Sequence, residues 1–422
     1  MDNLGISFDV GTTTLTGILW DLDRNNLIGR LAMGNPQSRF GADIIFRLAS
    51  AMKGEAERKK LQASVVGGMN DIIDIFEDRY AIRRGDIRKI TAVGNTVMQH
   101  LLLGEDPSAL TVPPYMPTAT GAVLTEASSI GLEAAPGAEL YAPPCIGSYV
   151  GSDITAGLLA VGIDELPGCT LFVDIGTNGE IALMVKGRLL VCSAAAGPAF
   201  EGASLNMGMR AGDGAVEKVD ISRSGVSCLT VGRTSPRGLC GSGAISAAAA
   251  LLEAGLMDNT GRMSTADELK ESGTDEVIYS RMIEGEQCRE FIISSREDGG
   301  RVVITQKDVR EIQLAKAAIS AGIKVLLSRA AIAPHEVSRL LLAGTFGNNI
   351  DIRSACRIGL FSGVGEEFIV SMGNAAGDGA SLILTDDRKK TDAERIAKMS
   401  EHVSVANEDD FQELLLNEMD FS

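Results

Sequence analysis

The chain has no Cys-x-x-Cys pair, no surplus of basic residues, no signal-like amino terminus and no apolar run long enough to span a bilayer. Each absence removes a class of function. The seven cysteines, Cys145, Cys169, Cys192, Cys228, Cys240, Cys288 and Cys356, are scattered, and the closest two stand twelve positions apart. A zinc ribbon, a ferredoxin-type cluster or a redox dithiol needs tighter spacing, so no iron–sulfur cluster is expected in this chain. The thiols read instead as small buried hydrophobes in a reducing compartment. The three histidines, His100, His335 and His402, are too far apart in sequence to suggest a metal site. Lys and Arg number 39 against 56 Asp and Glu, a net charge of −17. That balance argues against a nucleic-acid backbone or an anionic membrane as partner. Met1-Asp2-Asn3-Leu4 lacks a basic region and an apolar stretch, and the Ala-rich segment 243–257 is too short for a bilayer and carries Glu253. The expected location is the cytoplasm.

What is present is ordinary in bulk and unusual in glycine. The 422 residues suggest about three domains at ~150 residues each. Apolar residues at 45% and charged residues at 23% fit a globular protein. Glycine supplies 48 positions, well above the usual share of ~7%. Such an excess marks tight strand-to-helix turns and phosphate loops.

The chain also repeats itself. Residues 5–20, GISFDVGTTTLTGILW, share an apolar strand, an Asp-x-Gly-Thr turn and a second strand with residues 170–185, TLFVDIGTNGEIALMV. Asp174 stands 165 positions after Asp9. A second pair follows in the same order, ITAVGNTVMQHLL at 90–102 and RLLLAGTFGNNI at 339–350. The third is CIGSYVGSDITAGLLA at 145–160 and SMGNAAGDGASLILT at 371–385, each with a Gly-rich turn, an Asp (Asp153 or Asp378) and a small-residue helix. Three pairs in one order indicate duplicated lobes. We expect a first lobe over 1–165, a second over 166–390 and a C-terminal extension over 391–422.

Periodicity predicts strands near 5–10, 15–20, 27–33, 90–93 and 139–142 in lobe one, with helices over 41–53, 58–80 and from Thr96. In lobe two it predicts strands near 170–175, 180–186, 188–193, 226–231, 338–343 and 367–371, and a hairpin over 289–305. Thr305 with Asp308 reads as the cap of a long helix whose core stripe is Val309, Ile312, Ile319, Ile323 and Leu327.

A strand ending in Asp-x-Gly-Thr brings backbone N–H groups and hydroxyls to a tight turn where phosphate can bind. Its Asp can hold Mg²⁺ directly or through water. Asp9 and Asp174 are therefore the expected Mg²⁺ residues. Gly11, Thr12, Thr13, Gly176, Thr177 and Asn178 are expected on the β- and γ-phosphates. Gly241, Ser242 and Gly243, ahead of an Ala-rich helix, are a further anion-binding candidate.

Asp9-Val-Gly-Thr-Thr-Thr14 and Asp174-Ile-Gly-Thr-Asn-Gly179 resemble the two phosphate motifs of the actin, sugar-kinase and seventy-kilodalton heat-shock-chaperone superfamily. Leu342-Ala-Gly-Thr-Phe-Gly-Asn348 is similar to its adenosine motif, and the Asp153 and Asp378 turns to its connecting motifs. The resemblance implies an α/β fold of duplicated ribonuclease-H-like lobes, the actin-like ATPase fold, with a nucleotide cleft between them. It places Gly344, Thr345, Phe346 and Gly347 by the α-phosphate and adenosine. Asp153 becomes a candidate water-orienting carboxylate beside Asp9 and Asp174, with Asp378 and Glu201 as further nucleotide-site candidates.

The segments Asn35-Pro-Gln-Ser-Arg-Phe-Gly41, Gly94-Asn-Thr-Val-Met-Gln-His100, Ala194-Ala-Ala-Gly-Pro-Ala-Phe-Glu-Gly-Ala203 and Ile304-Thr-Gln-Lys-Asp308 sharpen the resemblance. They are similar to the ATPase domain of the reductive activators of corrinoid proteins. That family implies an ATPase that drives the uphill reduction of cob(II)amide to cob(I)amide. It further implies a partner that is a corrinoid iron–sulfur protein or a corrinoid methyltransferase component. Family members usually carry an N-terminal [2Fe–2S] domain, and the first phosphate strand here begins within a few residues of Met1. Either the electron donor is therefore a separate, ferredoxin-like protein, or this is the ATPase part of a divided or shortened activator, and the oligomeric state is left open. The competing expectations are a small-molecule kinase of the superfamily and a nucleotide-gated actin-like interaction protein.

Overall fold

The computed structural model describes residues 3–41, 43–295, 299–344, 350–405, 408 and 410–421. They form two compact units: Met1–Pro167 with Gly187–Val191 and Asn374–His402, and Gly168–Lys186 with Cys192–Gly373 and Val403–Ser422.

The first unit is built on β1 (Leu4–Val10), β2 (Thr14–Asp21), β3 (Asn26–Gly34), β4 (Ile87–Val93), β5 (Val123–Glu126) and β6 (Glu139–Ala142). Their order is β3-β2-β1-β4-β6-β5, with β1, β4 and β6 parallel and the others antiparallel to their neighbours. β1 lies at the centre with Leu4, Ile6, Phe8 and Val10 all buried, which its unbroken apolar run requires. The helices are α1 (Ile44–Ala51), α2 (Glu55–Tyr80), α3 (Thr96–Leu103) and α4 (Ser152–Ala160). α2 covers β2 and β3 with its expected stripe of Val65, Met69, Ile72, Ile73 and Phe76, all fully buried.

β7 (Thr170–Ile175) and β8 (Gly179–Val185) of the second unit, followed by β9 (Arg188–Ala194), whose residues through Val191 group with the first unit, repeat the first hairpins. Three later strands, β10 (Ala215–Ser222), β11 (Gly225–Thr230) and β12 (Gly238–Leu239), form a small sheet; β13 (Met282–Glu284), β14 (Arg289–Ser295) and β15 (Arg301–Thr305) form another. In the six-stranded main sheet Ser400–His402 pairs in parallel with the outer edge of β9, and β16 (Arg339–Ala343) and β17 (Ile369–Gly373) complete the remaining order β17-β16-β7-β8-β9. This matches β6-β4-β1-β2-β3 strand for strand, so the duplicated ribonuclease-H-like arrangement is present. The helices are α5 (Gly241–Glu253), α6 (Ala266–Glu271), α7 (Glu276–Tyr279), α8 (Gln306–Ala330) and α9 (Ile352–Arg357). α8 opens on the expected Thr305–Asp308 capping box, and its stripe of Val309, Ile312, Ile319, Ile323 and Leu327 is buried. β5, β10, β12 and β13 were not expected from sequence. They are short or, like β10 with exposed Lys218 and Asp220, half in solvent, so their period is weak.

The segment 374–402 holds α10 (Ala375–Thr385), α11 (Arg388–Met399) and β18 (Ser400–His402), and it packs within the first unit. This differs from the sequence division, which carries the second lobe through 390. The physical reason is the small-residue face of α10. A β-carbon on Gly379 would lie 1.9 Å from the Ala156 carbonyl oxygen, so α10 and α4 meet backbone to backbone. Ser381 Oγ lies 2.8 Å from Ser7 Oγ and accepts from Trp20 Nε1 at 3.2 Å. α11 adds ion pairs, Arg395 to Asp164 at 2.5 Å and Lys390 to Glu139, with the Lys390 ammonium 5.1 Å from the Tyr141 ring centre. α12 (Phe411–Asn417) lies on α8 in the second unit. Among the described residues no helix is long and apolar enough to cross a membrane, and all seven cysteines are free thiols.

Candidate functional site

In the first unit Asp9 is the penultimate residue of β1, in register with Thr16 on β2 and Val93 on β4. Val10 pairs with Leu15, leaving residues 11–14 as the turn, closed by Gly11 N–H to the Thr14 carbonyl at 2.9 Å. Three asparagines hold this turn, and each works at both ends of its amide. Asn35 donates to the Gly11 carbonyl at 2.8 Å while its oxygen caps the Gln37 N–H at 2.9 Å. Asn95 donates to Thr12 Oγ1 at 3.0 Å and caps α3 through the Met98 N–H at 3.0 Å. Asn374 donates to Asp9 Oδ2 at 2.9 Å and caps α10 through the Gly377 N–H at 2.8 Å. An Asn cap spends only its oxygen on the helix, so its N–H₂ remains for a second task.

Burial pushes the Asp9 carboxyl up to about 6, and the Asn374 hydrogen bond pulls against that rise. A carboxylate so poorly solvated suits a cation more than further anionic neighbours. Asp153 sits in the first turn of α4, where its own N–H reaches the Gly94 carbonyl at 3.3 Å, directly after β4. Ser152 Oγ reinforces the junction by accepting from the Gly94 N–H at 3.1 Å. Asp9, Thr12, Asn95 and Asp153 are thus joined through the adjoining ends of β1 and β4. Asp378 is turned to another use: it pairs with Arg30 of β3 at 2.8 Å, both side chains being about half exposed.

In the second unit Asp174 is in register with Glu180 on β8 and Ala343 on β16. Ile175 pairs with Gly179, so this turn has three residues, 176–178, one fewer than the first; Gly176 N–H to the Asn178 carbonyl at 2.9 Å closes it. Thr177 Oγ1 donates to Glu201 Oε1 at 2.5 Å. Glu180 is buried on the same sheet face as Asp174 and accepts from Ser193 Oγ at 3.3 Å. Gly344 lies hard against this turn with φ 95°, and a β-carbon there would stand 2.7 Å from Asp174 Oδ1 and from the Ile175 carbonyl. Thr345, Phe346 and Gly347 of the expected adenosine turn lie outside the described residues.

Gly241, Ser242 and Gly243 are buried at the start of α5. A β-carbon on Gly243 would come within 1.9 Å of the Val216 carbonyl, and Ser242 Oγ lies 3.2 Å from Cys240 Sγ. Gly243 therefore allows close packing of α5 on β10, and the Ser242 hydroxyl is engaged with Cys240. Among the described residues no group of three or more His, Cys, Asp or Glu side chains is arranged to hold a metal on its own.

Sequence reasoning left Asn35, Asn95, Asn374 and Glu180 without roles. The signal for the asparagines was available: each follows a strand end and precedes a helix start, the pattern of an N-cap.

The family described as the C-terminal domain of RACo, the ASKHA domain, matches residues 168–422, and the RACo middle region matches residues 4–166. The corrinoid activation enzyme RamQ of Eubacterium limosum is 34% identical over 413 residues, which cover 97% of this chain and 69% of that protein. The Co(II) methylated amine-specific corrinoid protein reductase of Methanosarcina barkeri is 25% identical over 307 residues, 67% of this chain and 52% of that protein. Among solved structures, a reductive activator for corrinoid, iron–sulfur protein superposes with a TM-score of 0.88 at 32% identity, covering 99% of this chain and 66% of that one. The chain thus spans about two-thirds or less of the length of the relatives it matches.

Proposed function

This chain belongs to the reductive activators of corrinoid proteins, with their actin-like ATPase fold, and we propose that it is the ATP-hydrolysing part of such an activator. The reaction it serves is reduction of cob(II)amide to cob(I)amide on a partner corrinoid protein. The observation that carries the reading is the pair of hydrogen-bonded Asp-x-Gly-Thr turns, one in each unit. The first turn binds phosphate through its backbone N–H groups and the hydroxyl of Thr12. That hydroxyl accepts from Asn95 and so keeps its own proton for a phosphate oxygen. Asp9 and Asp174 would hold Mg²⁺ with the nucleotide. The ion, when bound, neutralises phosphate charge and stabilises the charge that develops on transfer. Asp153, fixed beside the Gly94 turn, is the proposed orienter of the attacking water. Gly344 and the residues after it take the α-phosphate and adenosine. The electrons come from a low-potential donor, for which a ferredoxin-like protein is the proposed class.

ATP hydrolysis with Mg²⁺ is the test, run with and without a corrinoid protein poised as cob(II)amide. The reading expects partner-stimulated hydrolysis that Asp174→Ala lowers by at least about a hundredfold while the fold survives. Hydrolysis stimulated instead by sugars or carboxylic acids, with no response to any corrinoid protein, would replace the activator with a small-molecule kinase.

A further inference from the structure

The two phosphate turns differ in the direction of their hydroxyl hydrogen bonds. Thr12 Oγ1 accepts a hydrogen bond from the Asn95 amide, so its own O–H remains to donate elsewhere. Thr177 Oγ1 donates its hydrogen bond to Glu201 Oε1 at 2.5 Å, because a carboxylate oxygen only accepts. With its proton committed, the Thr177 oxygen has only lone pairs left to offer. A phosphate oxygen offers lone pairs too, and the two would repel. A cation would not. Thr177 is only partly buried. On the adjoining strands Asp174 and Glu180 share one face of the sheet, which adds negative charge on the same side as the turn.

We infer that Thr177 is a Mg²⁺-side ligand of the nucleotide site and not a phosphate donor, and that Glu201 is the positioning residue that fixes its hydroxyl in this sense. The inference rests on the nucleotide reading above and deepens it. A Ser or Thr hydroxyl on Mg²⁺ is established chemistry in other nucleotide-binding loops. Here the shortened turn, three residues in place of four, brings the hydroxyl to Glu201, which stands at the end of the 198–201 helical turn. Glu201 belongs to the site by holding Thr177.

The test separates metal affinity from nucleotide affinity. Metal binding to the protein with ADP is read by Mn²⁺ electron paramagnetic resonance and by competition with Mg²⁺ and Cd²⁺. Nucleotide binding without metal is read by a fluorescent ATP analogue in chelator. Thr177→Cys puts sulfur at the ligand position, so affinity for Mg²⁺ should fall about tenfold or more while soft Cd²⁺ gains relative to Mg²⁺. Glu201→Ala, which removes the acceptor, should weaken Mn²⁺ binding by about 10–100-fold, as loss of an outer partner does. Both should leave metal-free nucleotide affinity within about twofold, and Thr177→Ser, which keeps the hydroxyl and guards against a folding defect, should resemble the native chain on every readout. An unchanged Mg²⁺-to-Cd²⁺ preference in Thr177→Cys overturns the inference. So does a fall in metal-free nucleotide affinity equal to the fall in metal affinity. A native chain that binds no ATP at all removes the nucleotide reading itself, a distinct result.

Discussion

At the scale of the residue, the first turn is held by asparagines whose oxygen and nitrogen serve different masters. This division makes Asn95→Asp a clean probe, because the carboxylate still caps α3 but cannot donate to Thr12. Global stability should stay within about 1 kcal/mol, while affinity for Mg²⁺·ATP falls roughly tenfold. Urea unfolding and titration calorimetry read the two effects separately. Asp9 offers a second probe. Its buried carboxylate is costly in the nucleotide-free protein, as the rise of its pKa to about 6 indicates. Asp9→Asn should therefore raise the melting temperature of the nucleotide-free chain and lower ATP hydrolysis by on the order of a hundredfold. A variant that melts lower would contradict the assignment of strain to Asp9. The two Asp-x-Gly-Thr turns were legible in sequence because glycine and its neighbours form a contiguous signature. Glu180 was not, since it faces Asp174 only through strand register, and although Asn374 reads as a helix cap, its contact with Asp9 joins residues 365 positions apart.

The close contact between α4 and α10 is the clearest device at the scale of the element. Gly379→Ala would press a methyl group onto the Ala156 carbonyl, 1.9 Å away. Separating the helices should cost roughly 1–3 kcal/mol, and because Asn374 caps α10, nucleotide affinity should fall with stability. Denaturant unfolding and calorimetry on the same variant check both. The other device sits after α12. Glu418 is buried, and burial alone would raise its carboxyl. Hydrogen bonds from Lys324 and Ser320, with the charges of Lys324 and Lys316, hold it below its ordinary 4.5 instead. Its contribution is present above pH 4.5 and is lost as pH falls through the lowered folded value. The C-terminal helix should thus loosen in acid before the rest of the second unit. Glu418→Gln should flatten that part of the stability profile, measured by hydrogen exchange of residues 411–417 against pH. Long amphipathic elements such as α2 and α8 were legible at this scale because their stripes repeat over several turns. β10 and the placement of α10 were not, because half-exposed strands lose their alternation and sequence order does not say which face a small-residue helix buries.

The whole molecule reads as a duplication in which the copies have diverged chemically. Strand order is shared, but the first turn has four residues, asparagine donors and a hydroxyl free to donate, whereas the second has three residues and a hydroxyl tied to Glu201. The duplication was visible as three motif pairs in one order. Its divergence was not, because a one-residue difference in a hairpin and the direction of a hydrogen bond leave no mark in composition. The most direct measurement of the central claim is anaerobic spectroscopic reduction of a partner cob(II)amide protein by a supplied low-potential electron donor. It is run with this chain and ATP, ADP or no nucleotide. The account predicts accumulation of cob(I)amide with ATP only, abolished by Asp174→Ala. Reduction at the same rate without ATP, or with Asp174→Ala, would contradict it.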